Sequence, residues 1–328
     1  MKKVIALTMG DPSGISTEIT IKAWKSKKVK NPFFLIHDPD YVKNVAKKMG
    51  KSLNIRVISS VDEASKYFSK SLPIMPIEIS KKTKLGKPDK SNVESILKSI
   101  NLAVDLVKKK QVTAIVTNPI CKDTISLKKK NFSGHTEYLQ KKDKSKSCAM
   151  MMVNKYTKII PLTTHLPLKD VSKNINYKKI NNVATVINHS LKKDFRIKKP
   201  KIAVSGLNPH SGDGGLLGNE EKKIIHPSII KLRAQKIDIN GPFAADSLFR
   251  KHNLESYDAF LCMYHDQALI PAKLLSFEKT VNYTAGLSFI RTSPDHGTGF
   301  DISNKFLASC TSLVEAINMA SKIAGKRY

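Results

Sequence analysis

The stretch SNVESILKSINLAVDLVKKKQVTAIVT, residues 91 to 117, changes its hydrophobic period partway along. Over 91 to 108, Val93, Ile96, Ile100, Ala103, Val104 and Val107 keep an i, i+3, i+4, i+7 stripe, which predicts an amphipathic helix with one buried face. AIVT, which follows, is short, apolar and bounded by polar residues, as a buried strand is. The pattern repeats outward. VIALTM and FFLIH precede it, AMMMV, KIIPLTT, KIAVSG and DAFLCMY follow, and helical patterns lie between several of them. Strands alternating with helices predict an α/β protein with a largely parallel sheet. No internal repeat and no Ser/Gly/Pro-rich linker divides the chain.

A chain of 328 residues with 41% hydrophobic content can bury a core as one long α/β unit or as two lobes. Cys121, Cys148, Cys262 and Cys310 lie far apart with no C-x-x-C pair. Neither a disulfide framework nor a cysteine zinc site follows, and a reducing cytoplasmic location is expected. The start MKKVIALTMGDPSG has a basic pair before an apolar run, but the run meets Gly10-Asp11-Pro12 before reaching signal-peptide length, so residues 4 to 9 are read as a first strand. No later segment approaches the roughly 18 uninterrupted apolar residues of a membrane span, so no membrane partner is expected.

Lysine and arginine number 57 against 27 acidic residues, a net charge of +30. The lysines are scattered in short runs without interleaved aromatics, helix-turn-helix or zinc-finger spacing, so a solvated basic surface is expected and no nucleic-acid partner. Such a field attracts anionic substrates.

His165 follows KIIPLTT, His210 sits in GLNPHSGDGG one short turn after KIAVSG, and His265 follows DAFLCMY. Each is expected at or beyond the C-terminal end of a strand, where open α/β sheets bind ligands. Three imidazoles from three strand ends suit zinc or another divalent ion with one position left open, although each alone also reads as a loop or core histidine. Asp266 either orients His265 or caps the next helix.

In FSGHTEYL, Gly134 precedes His135 and Thr136 at the expected start of a helix, either an anion site or an ordinary cap. Lys273, Asn282 and Arg291 could add a point charge, an amide and a planar fork, with a structural ion pair the alternative for Arg291. SPDHGTGFDIS, residues 293 to 303, carries Asp295, His296 and Asp301, and its Gly297 and Gly299 suit either a nucleotide loop or a plain turn. No G-x-G-x-x-G follows the first strand; GDPSG does not supply it.

Taken in order, GDPSGIS, TNPICK, GHTEYL, THLPL, GLNPHSGDGG, GPFAADSLF, MYHDQALIPAK and VNYTAGLSFIRTSPDHGTGFDIS resemble the 4-hydroxythreonine-4-phosphate dehydrogenase family of pyridoxal phosphate biosynthesis, from about residue 4 to the C-terminal helix. The resemblance implies an α/β/α two-lobed fold similar to isocitrate and isopropylmalate dehydrogenases, with the active site in the inter-lobe cleft at the interface of a homodimer. The first lobe is expected over 1–127 and 276–328 and the second over 128–275. It implies His165, His210 and His265 as metal ligands drawn from both subunits, for zinc, magnesium or cobalt. His135, Thr136, Lys273, Asn282 and Arg291 are implied contacts of a small phosphorylated substrate. Asp295, His296, Gly297 and Asp301 are the candidates for NAD or NADP, and Lys273 and Asp246 for proton transfer. The implied reaction oxidises 4-phosphooxy-L-threonine to a β-keto acid that decarboxylates to 3-amino-2-oxopropyl phosphate. Relatives acting on 4-phosphoerythronate, 4-phosphothreonate or a dihydrodiol share these motifs, and a nucleic-acid-binding protein on the same fold is the remote alternative. The chain departs from the family's usual pattern at Ser16-Thr17, where Gly-Pro is usual, and at Asn304-Lys305-Phe306, where a small Ala-Gly pattern is usual. Both departures touch the cofactor side.

Overall fold

The computed structural model describes residues 4–130 and 132–327. Strands form at Ile5–Thr8 (β1), Phe33–His37 (β2), Ile55–Val57 (β3), Leu72–Pro76 (β4), Ala114–Val116 (β5), Ala149–Val153 (β6), Lys158–Pro161 (β7), Lys201–Ser205 (β8), Asp238–Phe243 (β9), Ala259–Cys262 (β10), Val281–Ala285 (β11) and Ile290–Pro294 (β12). All seven apolar runs picked out in the sequence become strands. The expected helix forms at Val93–Lys108 after a short 3-10 turn, and its stripe is buried. Its Ser99 hydroxyl accepts from the Met9 N–H (3.0 Å) and donates to Ile36 O (3.2 Å), which fastens the helix to the ends of β1 and β2.

The chain divides into two compact units, residues 1–143 with 288–326, and residues 144–287 with Arg327. The divisions fall at 143/144 and 287/288, not at 127/128 and 275/276, for local reasons. Helix His135–Asp143 stays with the first unit because the Tyr138 hydroxyl donates to Asn101 Oδ1 (2.7 Å) and Lys108 Nζ to Lys142 O (2.7 Å). β11 goes to the second unit because it pairs antiparallel with β6 over its whole length.

In the first unit the strand order is β3-β4-β2-β1-β5-β12, all parallel. From β1 the chain builds β2 on one side and β5 on the other, so the loops leaving these strands diverge at the C-terminal edge. In the second unit the order is β11-β6-β7-β10-β8-β9: β11, β6 and β7 are antiparallel neighbours, while β7, β10, β8 and β9 are parallel. The expectation of a largely parallel sheet therefore holds in full only for the first unit. Among the described residues no helix is long and apolar enough to cross a membrane.

Two buried polar sets brace these units. In the second, Arg327 Nε lies 3.2 Å from Asp194 Oδ1 with both side chains nearly excluded from solvent, and the Tyr283 hydroxyl donates to Asp194 Oδ2. In the first, the Asp38 N–H donates to His37 Nδ1 (2.7 Å), Thr17 Oγ1 lies 3.2 Å from His37 Nε2, and the His37 ring stacks on Tyr41. The Tyr41 hydroxyl in turn donates to Pro12 O (2.7 Å), beside Asp11.

Asp194→Ala strands the buried Arg327 cation and is expected to cost about 3–5 kcal/mol in chemical denaturation; a loss below about 1 kcal/mol, the scale of an exposed pair, would contradict the pairing described. A second expectation concerns pH. Burial pulls His37 down from 6.5 to about 4, against Asp38, and pushes Asp11 up from 3.8 to about 6, against N–H donors of Ser13 and Cys121. The His37 contribution to stability is present above pH 6.5 and lost as pH falls toward about 4, while that of Asp11 is present below pH 3.8 and lost as pH rises through about 6. The two slopes oppose each other between about pH 4 and about pH 6. In that window the unfolding free energy of His37→Asn should fall with rising pH relative to the parent, and that of Asp11→Asn should rise. Parallel curves for all three proteins would show that neither group is buried as described.

Candidate active site

The second unit presents the loops after β7, β10 and β8 at one edge. These strands are parallel neighbours with β10 in the middle, so His165, His265 and His210 each lie just beyond the C-terminal end of adjacent strands, as the sequence predicts. The loops are latched to one another. Thr163 donates its N–H (3.2 Å) and its hydroxyl (2.8 Å) to Met263 O. Gln267 Oε1 accepts from the Met263 N–H (2.7 Å) and the Ser205 hydroxyl (2.7 Å), and Gln267 Nε2 donates to Gly206 O (2.9 Å). One amide thus joins the end of β8 to the end of β10.

The rings of His165 and His265 lie 5.7 Å apart, centroid to centroid. His265 opens the helix His265–Ser276, and its Nδ1 lies 2.7 Å from Asp266 Oδ1. In a neutral imidazole that contact places the proton on Nδ1 and leaves the Nε2 lone pair for a cation. Asp266 therefore orients its neighbour, one of the two roles open to it from sequence. Among the described residues of one chain, no group of three His, Cys, Asp or Glu is gathered to hold a metal ion. A single chain brings together two of the three expected ligands.

His210 sits in a backbone run with positive φ from His210 to Gly214, and His165 also has positive φ (39°). Non-glycine residues held there cost about 1–3 kcal/mol each and persist where the surroundings over-determine them. Here Glu221 does so: its Oε1 accepts the N–H groups of Leu207 and Asn208, both at 2.7 Å, and its Oε2 accepts Asn208 Nδ2 at 2.9 Å. A Cβ on Gly212 would come within 2.7 Å of that carboxylate, so the chain needs glycine where it turns over Glu221. The donors suit a divalent transition ion: imidazoles, one with its tautomer set, on strained loops at a strand edge.

In the same unit Lys273 lies on the helix begun by His265, with its Nζ 5.5 Å from the Phe277 ring centroid. Asp246 is exposed on the short helix Ala245–Leu248. Asn282 lies on β11, and its Oδ1 is buried with no hydrogen-bond partner among the described residues.

The first unit holds the other substrate candidates. His135 and Thr136 begin a helix, and Arg291 comes from β12 with its side chain buried, donating from Nε (3.1 Å) and Nη2 (2.6 Å) to Thr117 Oγ1 at the end of β5. Burial pulls the guanidinium down to about 10, with Glu137 pulling the other way. The His135 ring is held well below the ordinary histidine range, first by burial and then by the positive charges of Arg291 and Lys122. Its Nε2 is buried without a hydrogen-bond partner among the described residues. Such an atom costs free energy unless a ligand meets it.

The loop 295–303 packs on the first glycine loop. The Ile15 N–H donates to Thr298 O (2.9 Å), and a Cβ on Gly14 would stand 2.4 Å from that oxygen. The Asp295 N–H donates to Ser312 Oγ (3.1 Å), and His296 Nε2 is buried without a partner among the described residues. Gly297 and Asp301 are exposed. The departures Ser16-Thr17 and Asn304-Lys305-Phe306 are absorbed locally: Ser16 Oγ donates to Pro119 O (3.2 Å), Thr17 meets His37, and Lys22 Nζ donates to Phe306 O (2.8 Å) while pairing with Glu18.

Thr163, Gln267, Glu221, Thr117 and Lys122 were not singled out by the sequence. Gln267 and Lys122 lie within motifs already quoted, MYHDQALIPAK and TNPICK, whereas Glu221 has no local signal.

Comparison with known proteins identifies the relatives of this chain. Residues 28–320 match the family model described as pyridoxal phosphate biosynthetic protein PdxA. A 4-hydroxythreonine-4-phosphate dehydrogenase of Methylorubrum extorquens is 39% identical, covering 98% of this chain and 94% of the relative. One from a Sulfurihydrogenibium species is 40% identical, covering 96% and 97%. Among solved structures, the 4-hydroxythreonine-4-phosphate dehydrogenase of Klebsiella pneumoniae superposes with a TM-score of 0.89 at 32% identity, covering 99% of this chain and 98% of that one. A family model spanning most of the chain, relatives matched nearly end to end and a shared fold give one conclusion: the chain belongs to the PdxA family of pyridoxal phosphate biosynthetic proteins.

Proposed function

We propose that this protein oxidises 4-phosphooxy-L-threonine with NAD and the help of a divalent cation, giving a β-keto acid that loses CO2 to yield 3-amino-2-oxopropyl phosphate in pyridoxal 5'-phosphate biosynthesis. The observation that carries the reading is the match to named dehydrogenases over nearly the whole of both chains. The latched histidine edge supports it from chemistry.

His165, His265 and His210 would hold the cation, the three coming from both subunits of a homodimer. When bound, the cation supplies Lewis acidity to the substrate hydroxyl and the nicotinamide supplies the hydride acceptor. The chain's own residues do the rest. Asp266 keeps the His265 proton on Nδ1. His135, Thr136, Arg291, Lys273 and Asn282 anchor the phosphoryl group, and anchoring remote from the reacting carbon is what aligns it. The buried, unpartnered atoms of His135 and Asn282 support that role. Lys273 Nζ or the Asp246 carboxylate carries the hydroxyl proton. Asp295, His296, Gly297 and Asp301 face the cofactor, a role supported by the bare Nε2 of His296.

We further infer the two-lobed architecture of isocitrate and isopropylmalate dehydrogenases and a homodimer with shared active sites. On the helix that begins with His265 and at its C-cap, Ile270, Leu274 and Phe277 form an i, i+4, i+7 stripe 66%, 85% and 72% exposed, apolar surface that a second copy would cover. Four free cysteines suit the cytoplasm.

His210→Ala should abolish NAD reduction with 4-phosphooxy-L-threonine while the far-ultraviolet spectrum stays unchanged, and chelation of the parent should do the same reversibly. Full turnover in the variant would remove His210 from the site. Asp266→Ala should retain the fold and weaken divalent-ion binding about 10–100-fold, as loss of an orienting carboxylate does; unchanged affinity by calorimetry would leave Asp266 without that role.

A further inference from the structure

In the first unit the corner built by His135 and Arg291 includes a third basic group. Lys122 begins the helix Lys122–Lys128, directly after TNPIC. A Cβ placed on Gly134 would lie 3.1 Å from Lys122 Cε and 3.5 Å from Lys122 Nζ. The lysine therefore runs across the backbone of Gly134 (φ +142°), at the N-terminus of the helix that His135 opens, in space that any side chain at 134 would take. Its charge reaches the imidazole: burial first, and then the charges of Arg291 and Lys122, hold His135 below the ordinary range.

Two cations act on one imidazole here. Arg291 is a buried cation, Lys122 is a cation, and His135 is a neutral ring with a bare, buried Nε2. One carboxylate, Glu137, approaches the same glycine, with its Oε2 3.4 Å from the Cβ position. Two cations against one carboxylate leave the corner positive, and the free N–H groups of the helix start add to the field. An incoming anion with several acceptor oxygens and more than one negative charge satisfies this arrangement; a phosphate monoester, carrying about −1.5 to −2 at neutral pH, has both properties. Lysine suits the task as a mobile point charge, whereas the Arg291 fork already donates to Thr117.

We propose that Lys122 is a further phosphoryl-binding residue of this enzyme, closing the anion site from the side of Gly134. The proposal rests on the reading of the His135 and Arg291 corner as the phosphate end.

The test measures inorganic phosphate binding by calorimetry at low ionic strength for the parent, K122M, K122R and the control H135N. It adds KM for the phosphorylated substrate and an NMR titration of the His135 ring without phosphate. K122M should weaken phosphate about tenfold or more, as loss of one charged hydrogen-bond donor does. It should raise KM in step, and the His135 titration should move toward the ordinary 6.5 as one of its two cationic neighbours is removed. K122R should retain most of the affinity. If K122M binds phosphate as the parent does while H135N is weakened, Lys122 is excluded and the phosphate corner stands. If both variants bind as the parent does, the phosphate reading fails and the proposal with it.

Discussion

Gln267 converts strand pairing into site geometry. Its single amide accepts from the end of β10 and from Ser205 at the end of β8, and donates to Gly206 at the root of the His210 loop. Thr163 does the same between β7 and β10. Parallel pairing alone brings three strand ends to one edge, but loops leaving such an edge are otherwise independent. The latches remove that independence, and Glu221 braces the left-handed run that begins at His210. A register slip of one residue in β10 would turn every side chain there to the other face and part Gln267 from Ser205.

The two units carry complementary chemistry. The second offers imidazoles whose ring-nitrogen lone pairs suit a cation. The first offers Arg291, Lys122 and a helix start, suited to an anion, and its burial keeps His135 neutral beside them. The overall charge of +30 gives both a positive setting, which draws a phosphorylated substrate and makes cation binding depend on lone pairs rather than on field.

Much of this was legible in sequence, and the reasons are physical. Strands such as AIVT and helices such as Val93–Lys108 declare themselves because burial imposes a period on neighbouring residues. The histidines could be placed because each follows an apolar run, and a strand's end is a local property. The limits of the units could not be read that way. They depend on which partner β11 and helix His135–Asp143 pack against, and Tyr138 bonding to Asn101 leaves no trace in the residues near either. Glu221 was missed for the same reason: a carboxylate in a lysine-rich stretch looks solvated until the fold turns the chain from Gly206 to Gly212 over it. The mixed pairing of β6, β7 and β11 was likewise hidden, since both faces of an internal strand are apolar whichever way its neighbour runs.

In the proposed site, imidazoles beyond the ends of β7, β8 and β10, drawn from both subunits, serve one cation. Anomalous diffraction at the zinc edge, from crystals of the zinc-loaded protein, tests it most directly. One peak per site is expected, bonded to Nε2 of His265 and to His165 and His210, with Asp266 on the far nitrogen of His265. A peak elsewhere, or three rings with no shared point in reach, would contradict it.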